Sequence, residues 1–494
     1  MGKTCRQVTT FPVNGKAVTE EYVLPVTPEA DEARHLESGV VNLYPQITYQ
    51  EIEGFGGAMT ESSAYLFSCM TPEVRRKALA KFFGKDGSQF CLIRTHMDSC
   101  DFALGQYQAV EDPLADPDLN TFSIDRDRKY IIPMIKEVLA MRAEEGGAPI
   151  SVLLSPWSPP KQWKTPPEKP SNDAAVYGGA QFGMQVDYEH PGRYNGGSLK
   201  PEYYGPWAEY LTKYVLAYLD EQIPVTMMTM QNESIAATTW DSCVWTAADQ
   251  KVFLKDYLYP AFEKAGLAGR VGIFIWDHNK ERVLEWSQAM IDDETKDMIS
   301  GIAFHWYSGD HFEAVKMTAD AFPGMTLMLS ECCVMHAPGM GSMLEAFGFP
   351  REKAAARVDL EDAQAYAHDI IGNLNAGMQR WIDWNLCLDT KGGPRTIRMG
   401  CGAPMIADGD AFYTTLTYDY VGHFSRYIKP GAKRIGMSLP DTKTEGTAAI
   451  NPDGSVVLVL QNRGGADAFY AIRMQDQITR FDVPAGTITT LVIG

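Results

Sequence analysis

Between residues 50 and 390 the chain alternates short apolar runs with longer amphipathic stretches, and this alternation limits the possible folds more than any other feature. Apolar runs of that length are strands buried on both faces, and the amphipathic stretches between them are helices that return the chain to start the next strand in the same direction. Eight runs can be counted: 54–57, 90–97, 150–157, 225–233, 271–279, 301–307, 325–331 and 380–385. Eight parallel strands with intervening helices close into a (β/α)8 TIM barrel, an α/β fold. The spacing predicts helices over 71–83, where Thr71-Pro72-Glu73 opens the first turn, over 128–145 and over 207–221. Residues 166–197, crowded with Pro, Gly, Asn and Tyr, read instead as a long loop over the barrel mouth.

Outside this core the character changes. RQVTTFPVN and AVTEEYVLPV before it, and SVVLVLQN and TITTLVI after it, read as strands joined by turns, with Asp453-Gly454 as a hairpin signal. Both ends therefore point to one β-sandwich companion, with 1–50 as its N-terminal part, 51–404 as the barrel and 405–494 as its C-terminal part. A formal charge of −19 disfavours a nucleic-acid partner, and 11% aromatic residues suit a groove for neutral sugars. No apolar stretch reaches the length of a membrane helix, so no membrane insertion is expected. The nine cysteines are scattered and odd in number, which fits neither a disulfide framework nor a metal ladder. With an amino terminus unlike a signal peptide, a cytoplasmic location is expected.

In a β/α barrel the chemistry sits where strands end at their carboxyl side. Those positions hold Arg94, Asp98 and Asp101; Trp157; Asn232 and Glu233; Asp277, His278 and Asn279; His305 and Tyr307; Glu331; and Asp383, Trp384 and Asn385. Glu233 and Glu331 each follow a nearly pure apolar run. Strand interiors exclude carboxylates, and a helix N-cap would favour Asp, Ser or Thr. One such glutamate fits a rim ion pair. Two together match glycoside hydrolysis, which needs one carboxyl to protonate the leaving oxygen and another to attack or to activate water. Trp157, Trp163, Tyr307, Trp381 and Trp384 are expected at the same rim, where sugar rings stack. Arg94 beside either glutamate would hold it ionised, and Tyr307 can donate a hydrogen bond to the nucleophile. Gly54 to Ala58 fails the dinucleotide spacing and reads as tight strand packing. His278 or His305 beside a carboxylate lacks a ligand ladder, so no metal is expected. Cys332 and Cys333, without a His partner, read as buried thiols.

Eight ordered motifs carry a resemblance that covers nearly the whole chain: EGFGGAMTESSA, IRTHMDSCDF, SPWSPPKQWKT, QNES, AFHWYSG, SECC, DWNLCLDTKGGP and GHFSRYIKPGAKRIG. They resemble glycoside hydrolase family 30, the family of lysosomal glucosylceramidase and microbial β-1,6-glucanases. The resemblance implies that Glu233 is the acid/base, that Glu331 is the nucleophile, and that Arg94, Asp101, Trp157, Asn232, Tyr307 and Trp384 surround the terminal sugar. It places Asp101 and Trp157 at the ring hydroxyls and Asn232 at the 2-hydroxyl. Trp240, Asp277, His278 and Asn279 resemble the bacterial glucanase-like branch. Ser234 departs from the proline that usually follows the acid/base, Arg395 from an asparagine, and Cys332 from a small residue. The expected activity is retaining β-glycoside hydrolysis without cofactor, on β-1,6-linked gluco-oligosaccharides or glucosylceramide-like substrates. The same mechanism on β-xylosides, β-galactosides or β-fucosides remains an alternative, and so does a non-catalytic carbohydrate-binding barrel. Because two carboxyls complete this chemistry without a metal, dialysis against EDTA is expected to leave the rate unchanged; activity that is lost and then restored by a divalent ion would contradict it.

Overall fold

A computed structural model describes residues 4–29, 36–166, 196–238, 240–335, 351–397 and 400–494. All eight apolar runs are strands of one closed parallel barrel. In chain order these are Gly54–Ala58, Leu92–Met97, Ser151–Pro156, Val225–Thr229, Gly272–Asn279, Gly301–His305, Thr326–Glu331 and Arg380–Asn385. They are called barrel strands one to eight below. Of the loop expected at 166–197, residues 167–195 lie outside the described residues.

Side chains alternate across a strand, so every second residue points into the barrel. Strands two to eight each send one apolar side chain to a common interior cluster: Leu92, Leu153, Met227, Phe274, Ala303, Met328 and Ile382. Strand one contributes glycine instead. A Cβ on Gly56 would stand 2.0 Å from the Leu92 carbonyl oxygen, and one on Gly57 would stand 2.4 Å from Leu386 Cδ2. The GFGGA run is therefore a close approach of backbone to neighbouring strands.

Helices cover the barrel's outer face. Pro72–Phe83 begins after Thr71 as expected, and Tyr204–Asp220 buries Trp207, Leu211 and Tyr214. The stretch expected as one helix over 128–145 is two helices, Asp125–Lys129 and Ile131–Glu145, broken at Tyr130, whose φ is −132°. Pro133 explains the break, because its ring would collide with the carbonyl four residues earlier if the helix ran straight through.

The companion is a ten-stranded sheet assembled from both ends of the chain. Cys5–Val13 lies between Lys16–Leu24 and Ile488–Ile493, antiparallel to both, so the sheet joins the amino-terminal hairpin to the last strand. Val40–Ile52 pairs with Ala432–Ser438 across a bulge at Ile435, where the register jumps from Thr48 to Tyr44; extra residues of this kind bend the strand that carries them, here Val40–Ile52. Val41, Leu458, Ile472 and Leu491 belong to its core. Helix Leu416–Ser425 joins the two bodies, and buried His423 lies between Thr10 and Thr490 at 2.8 Å from each hydroxyl. Among the described residues no helix is long and apolar enough to cross a membrane.

Because Gly56 leaves no room for a methyl group, Gly56→Ala is expected to lower stability by about 1–3 kcal/mol or more. Urea denaturation followed by circular dichroism measures this, and an unchanged midpoint would show that strands one and two can separate at little cost.

Candidate active site

Two residues beyond the apolar cluster, the inward-facing side chains turn polar: Arg94 on strand two, Ser155 on three, Thr229 on four, His305 on six and Ser330 on seven. Strand five supplies Asp277, brought into the layer by a bulge. Trp276 and Asp277 have φ of 73° and 51°, and the pairing with strand six skips Asp277. These groups bond to one another. Arg94 Nε donates to Ser155 Oγ at 3.1 Å, Nη2 to Asp277 Oδ2 at 2.9 Å, and Nη1 to Glu331 Oε2 at 2.5 Å. Ser330 Oγ donates to Asp277 Oδ1 at 2.5 Å, and His305 Nε2 meets that oxygen at 3.0 Å. Thr229 Oγ1 donates to Ser155 Oγ at 2.8 Å. Arg94 and Asp277 have essentially no exposed side-chain surface.

The two glutamates stand on this floor. Glu331 ends strand seven, and a register shift beside His305 pairs the two residues directly. Arg94 takes one of its oxygens, and Tyr307 donates its hydroxyl to the other at 2.9 Å. Glu233 follows strand four on left-handed backbone, φ 53°. Three bonds hold that turn: the Asn232 amide to Pro156 O at 2.8 Å, the Glu233 amide to Asp277 O at 2.8 Å, and Ser234 Oγ to Trp276 O at 2.9 Å. Ser234 thus fastens the turn that bears Glu233 to strand five. His305 Nδ1 lies 3.4 Å from Glu233 Oε1.

Above the glutamates opens a cavity of about 410 Å³. Asp101, Trp157, Asn232, Glu233, Trp240, His278, Tyr307, Glu331 and Trp384 all line it, while Arg94 lies beneath. Asn232 Oδ1 accepts from Arg94 Nη2 at 2.8 Å, and because arginine only donates, the amide must present its NH2 elsewhere. Asp101 Oδ1 is buried with no hydrogen-bond partner. Trp157 and Trp384 stack at 5.3 Å, with the Arg94 guanidinium 4.9 and 5.5 Å from their centres. His278 Nε2 is 4.0 Å from Glu233 Oε1.

Five residues expected at the rim face elsewhere. Asp98 accepts a hydrogen bond from the Tyr210 hydroxyl at 2.6 Å, and Asn385 Oδ1 accepts one from Thr60 Oγ1 at 2.6 Å. Trp163 is buried and stacked on Tyr203 at 5.6 Å. Trp381 packs on Phe55 at 6.2 Å in the main core, and Asp383 accepts a hydrogen bond from Tyr366 of the outer helix at 3.0 Å. The last two flank inward-facing Ile382, so the strand's alternation turns them outward. The sequence reading missed the outer wall, formed by Ile235, Ala236, Met335, Ile397 and Cys401. These residues sit on loops without periodicity, although the polar layer itself can be found by stepping two residues past the last inward apolar position on each strand.

A closed β/α barrel holding two facing carboxyls beneath an aromatic-lined cavity is the framework of a glycosidase. The sequence model of the glycosyl hydrolase family 30 TIM-barrel domain matches residues 52–428, and that of the family's β-sandwich domain matches 431–491. The chain belongs to glycosyl hydrolase family 30. It is 30% identical to lysosomal acid glucosylceramidase of Mus musculus over 446 residues, covering 87% of this chain and 78% of that protein. It is 24% identical to an endo-1,6-β-D-glucanase of Aspergillus fumigatus over 457 residues, covering 90% and 85%. The solved structure of SrfJ from Salmonella typhimurium superimposes with a TM-score of 0.84 at 29% identity, covering 99% of each chain.

Charge in this site is shared. Burial works to raise the Asp277 carboxyl, but Arg94 and His305 hold it well below the usual carboxylate range. Burial would equally depress His305, yet Glu331, Asp277 and Glu233 push it up to about 9. Against burial, the hydrogen bond from His305 and the charges of His278 and His305 lower Glu233. Burial, helped by the charge of Glu233, raises Glu331 against His305, Arg94 and Tyr307. Asp101 is held well above its ordinary value by burial and by both glutamates. The two glutamates and His305 lie close enough together that their titrations are coupled and belong to the group rather than to any one residue. One atom each of Glu233, His305 and Glu331 lie within 4.8 Å of one another, close enough to ligate a cation, but both ring nitrogens of His305 already face carboxylates.

A raised imidazole stabilises the folded state in full below the unfolded value of ~6.5, and the contribution fades as pH rises through about 9. NMR of ring-labelled histidine is expected to show His305 titrating near 9. A value below ~6 would mean that burial outweighs the three carboxylates.

Proposed function

We propose that the protein is a retaining β-glycosidase acting on β-glucosides, with Glu331 as nucleophile and Glu233 as acid/base. The observation that carries this reading is that the two glutamates face one another across one cavity, with an oxygen of each within 4.8 Å of the other, an approach that suits a retaining pair. Retaining sites hold their carboxyls about 5–5.5 Å apart, whereas inverting sites leave about 6.5–9.5 Å for a water. Glu331 is aimed from both sides, since Arg94 and Tyr307 each engage one of its oxygens. Glu233 lies beside His305, whose Nδ1 is 3.4 Å from its Oε1, and in its protonated form it delivers the proton that the leaving oxygen needs. Attack by Glu331 on the anomeric carbon then forms an α-glycosyl ester. Glu233, now a base, activates the water that cleaves this ester from the β face.

Orphaned Asp101 and the free amide of Asn232 supply partners for sugar hydroxyls, and Trp157 with Trp384 supplies apolar ring surface. Outside the sugar site the wall mixes apolar Ile235, Met335 and Ile397 with polar Thr238, Glu281, Ser308 and His311, which suits either β-1,6-linked gluco-oligosaccharides or glucosylceramide-like substrates. β-Xylosides, β-galactosides and β-fucosides fit the same chemistry and belong in the substrate panel. Nine unbridged cysteines support a reducing setting, the cytoplasm.

Replacing each glutamate tests the assignment. Glu331→Gln is expected to reduce turnover of every substrate at least ~10²-fold, because no attacking oxygen remains. Glu233→Ala is expected to spare the first step for dinitrophenyl β-glucoside, whose leaving group needs no proton. Azide should then restore its slow second step and yield a β-glycosyl azide. An α-azide from Glu331→Ala, with no rescue of Glu233→Ala, would reverse the two roles, and NMR detection of an α-anomer as first product would refute retention.

A further inference from the structure

Cys333 lies two residues beyond the nucleophile, and Cys401 comes from the loop behind strand eight. Both line the catalytic cavity and pack in one cluster with Trp384 and Tyr307. A backbone hydrogen bond of 2.8 Å from Gly402 N to Val334 O holds the two loops side by side, one residue beyond each cysteine. Both side chains are buried in that cluster. Cys333 Sγ also lies 3.4 Å from the Tyr307 hydroxyl, which donates to Glu331 at 2.9 Å. Two thiols of one cluster, both lining the cavity and one of them linked to the nucleophile through the Tyr307 hydroxyl, are placed to form a bridge that changes the site.

We propose that Cys333 and Cys401 form a reversible intramolecular disulfide on reaction with a small-molecule disulfide, and that the bridge switches the glycosidase off. One cysteine, as thiolate, attacks the small disulfide RSSR and expels one RS⁻, giving a mixed disulfide. The second cysteine loses its proton to RS⁻ and attacks the protein sulfur of that mixed disulfide, expelling the second RS⁻. In sum two protein thiols are oxidised and RSSR is reduced to two RSH. The bridge draws the sulfurs to about 2.05 Å, which pulls Cys333 away from Tyr307 and disturbs the hydroxyl that holds one oxygen of Glu331. The contact with Cys401, together with burial, keeps the Cys333 thiol protonated well above its ordinary value, so bridge formation quickens with rising pH.

The test uses the full-length, fully reduced enzyme in a Cys69→Ser background, which removes the exposed thiol. After incubation with glutathione disulfide, peptide mass mapping is expected to recover a Cys333–Cys401 linked pair. Titration of the denatured protein should show two thiols lost, and kcat should fall at least tenfold and return with dithiothreitol. In Cys333→Ser and in Cys401→Ser the linked peptide should be absent, and the ratio of oxidised to reduced activity should rise to near one. Glutathione adducts without the bridge, a bridge between other cysteines, or a Cys333–Cys401 bridge that leaves kcat unchanged would each overturn the proposal. The mapping and thiol counts do not depend on which sugar is cleaved, so failure here is distinguishable from failure of the catalytic assignment.

Discussion

The site depends on one buried cation. Arg94 has no exposed surface, and a charge there is tolerated only because its fork is occupied by Ser155, Asn232, Asp277 and Glu331. Removing one member of such a set commonly costs about 3–5 kcal/mol, because the remaining charge is stranded out of water. That penalty makes the geometry rigid. Asp277 cannot leave Arg94, the Glu233 amide is bonded to the Asp277 carbonyl, and His305 bridges the Asp277 carboxylate to the Glu233 side chain. The spacing of the two glutamates is therefore set from below, by an ion pair that lies outside the cavity lining.

Much of this was legible in the sequence because parallel strands buried on both faces leave nearly unbroken apolar runs, and a glutamate at the end of such a run stands out. Glu233 and Glu331 could be found that way, and so could the eight strands. Asp277 could be placed at a strand end but not identified as the partner of Arg94, since only the bulge at Trp276 and Asp277 turns it into the polar layer. Trp381 and Asp383 were misplaced at the rim because proximity to a strand's end says nothing about which face a residue takes. Ile382 between them fixes the alternation. Trp163 failed for another reason: it lies beyond the strand in a short turn, Lys161–Trp163, where no period applies. Ile397 and Cys401 join the cavity from a loop that follows strand eight, a contact set by tertiary packing alone.

Two buried histidines show that burial does not by itself decide ionisation. His305 faces carboxylates and is pushed up to about 9. His423, equally inaccessible, faces two threonine hydroxyls, and burial with Arg426 nearby drives it down to about 3. The surroundings of the first favour the imidazolium near neutral pH, and those of the second favour the neutral ring. His423 therefore joins helix Leu416–Ser425 to strands Cys5–Val13 and Ile488–Ile493 by a contact that does not titrate between pH 5 and 8, whereas acid below ~6.5 favours the unfolded chain, in which this imidazole takes up a proton.

Ser234 illustrates how a family position can change without loosening its neighbour. Proline would stiffen the turn after Glu233 through its fixed φ, whereas serine reaches the same end by bonding. Its hydroxyl donates to Trp276 O and accepts from Gln250 Nε2 at 3.1 Å, while its carbonyl accepts from the Trp245 amide at 2.8 Å. The bond to Trp276 runs to the bulge of strand five that also delivers Asp277, so the turn bearing Glu233 and the carboxylate under Arg94 are anchored to the same short piece of backbone. The sugar end of the cavity is thus determined by strand geometry, whereas Met335 and Ile397 on the outer wall project from loops and make none of the bonds that tie Arg94, Asp277 and Glu331 together. Differences in aglycone between this chain and its relatives should therefore be sought on that wall rather than around Arg94.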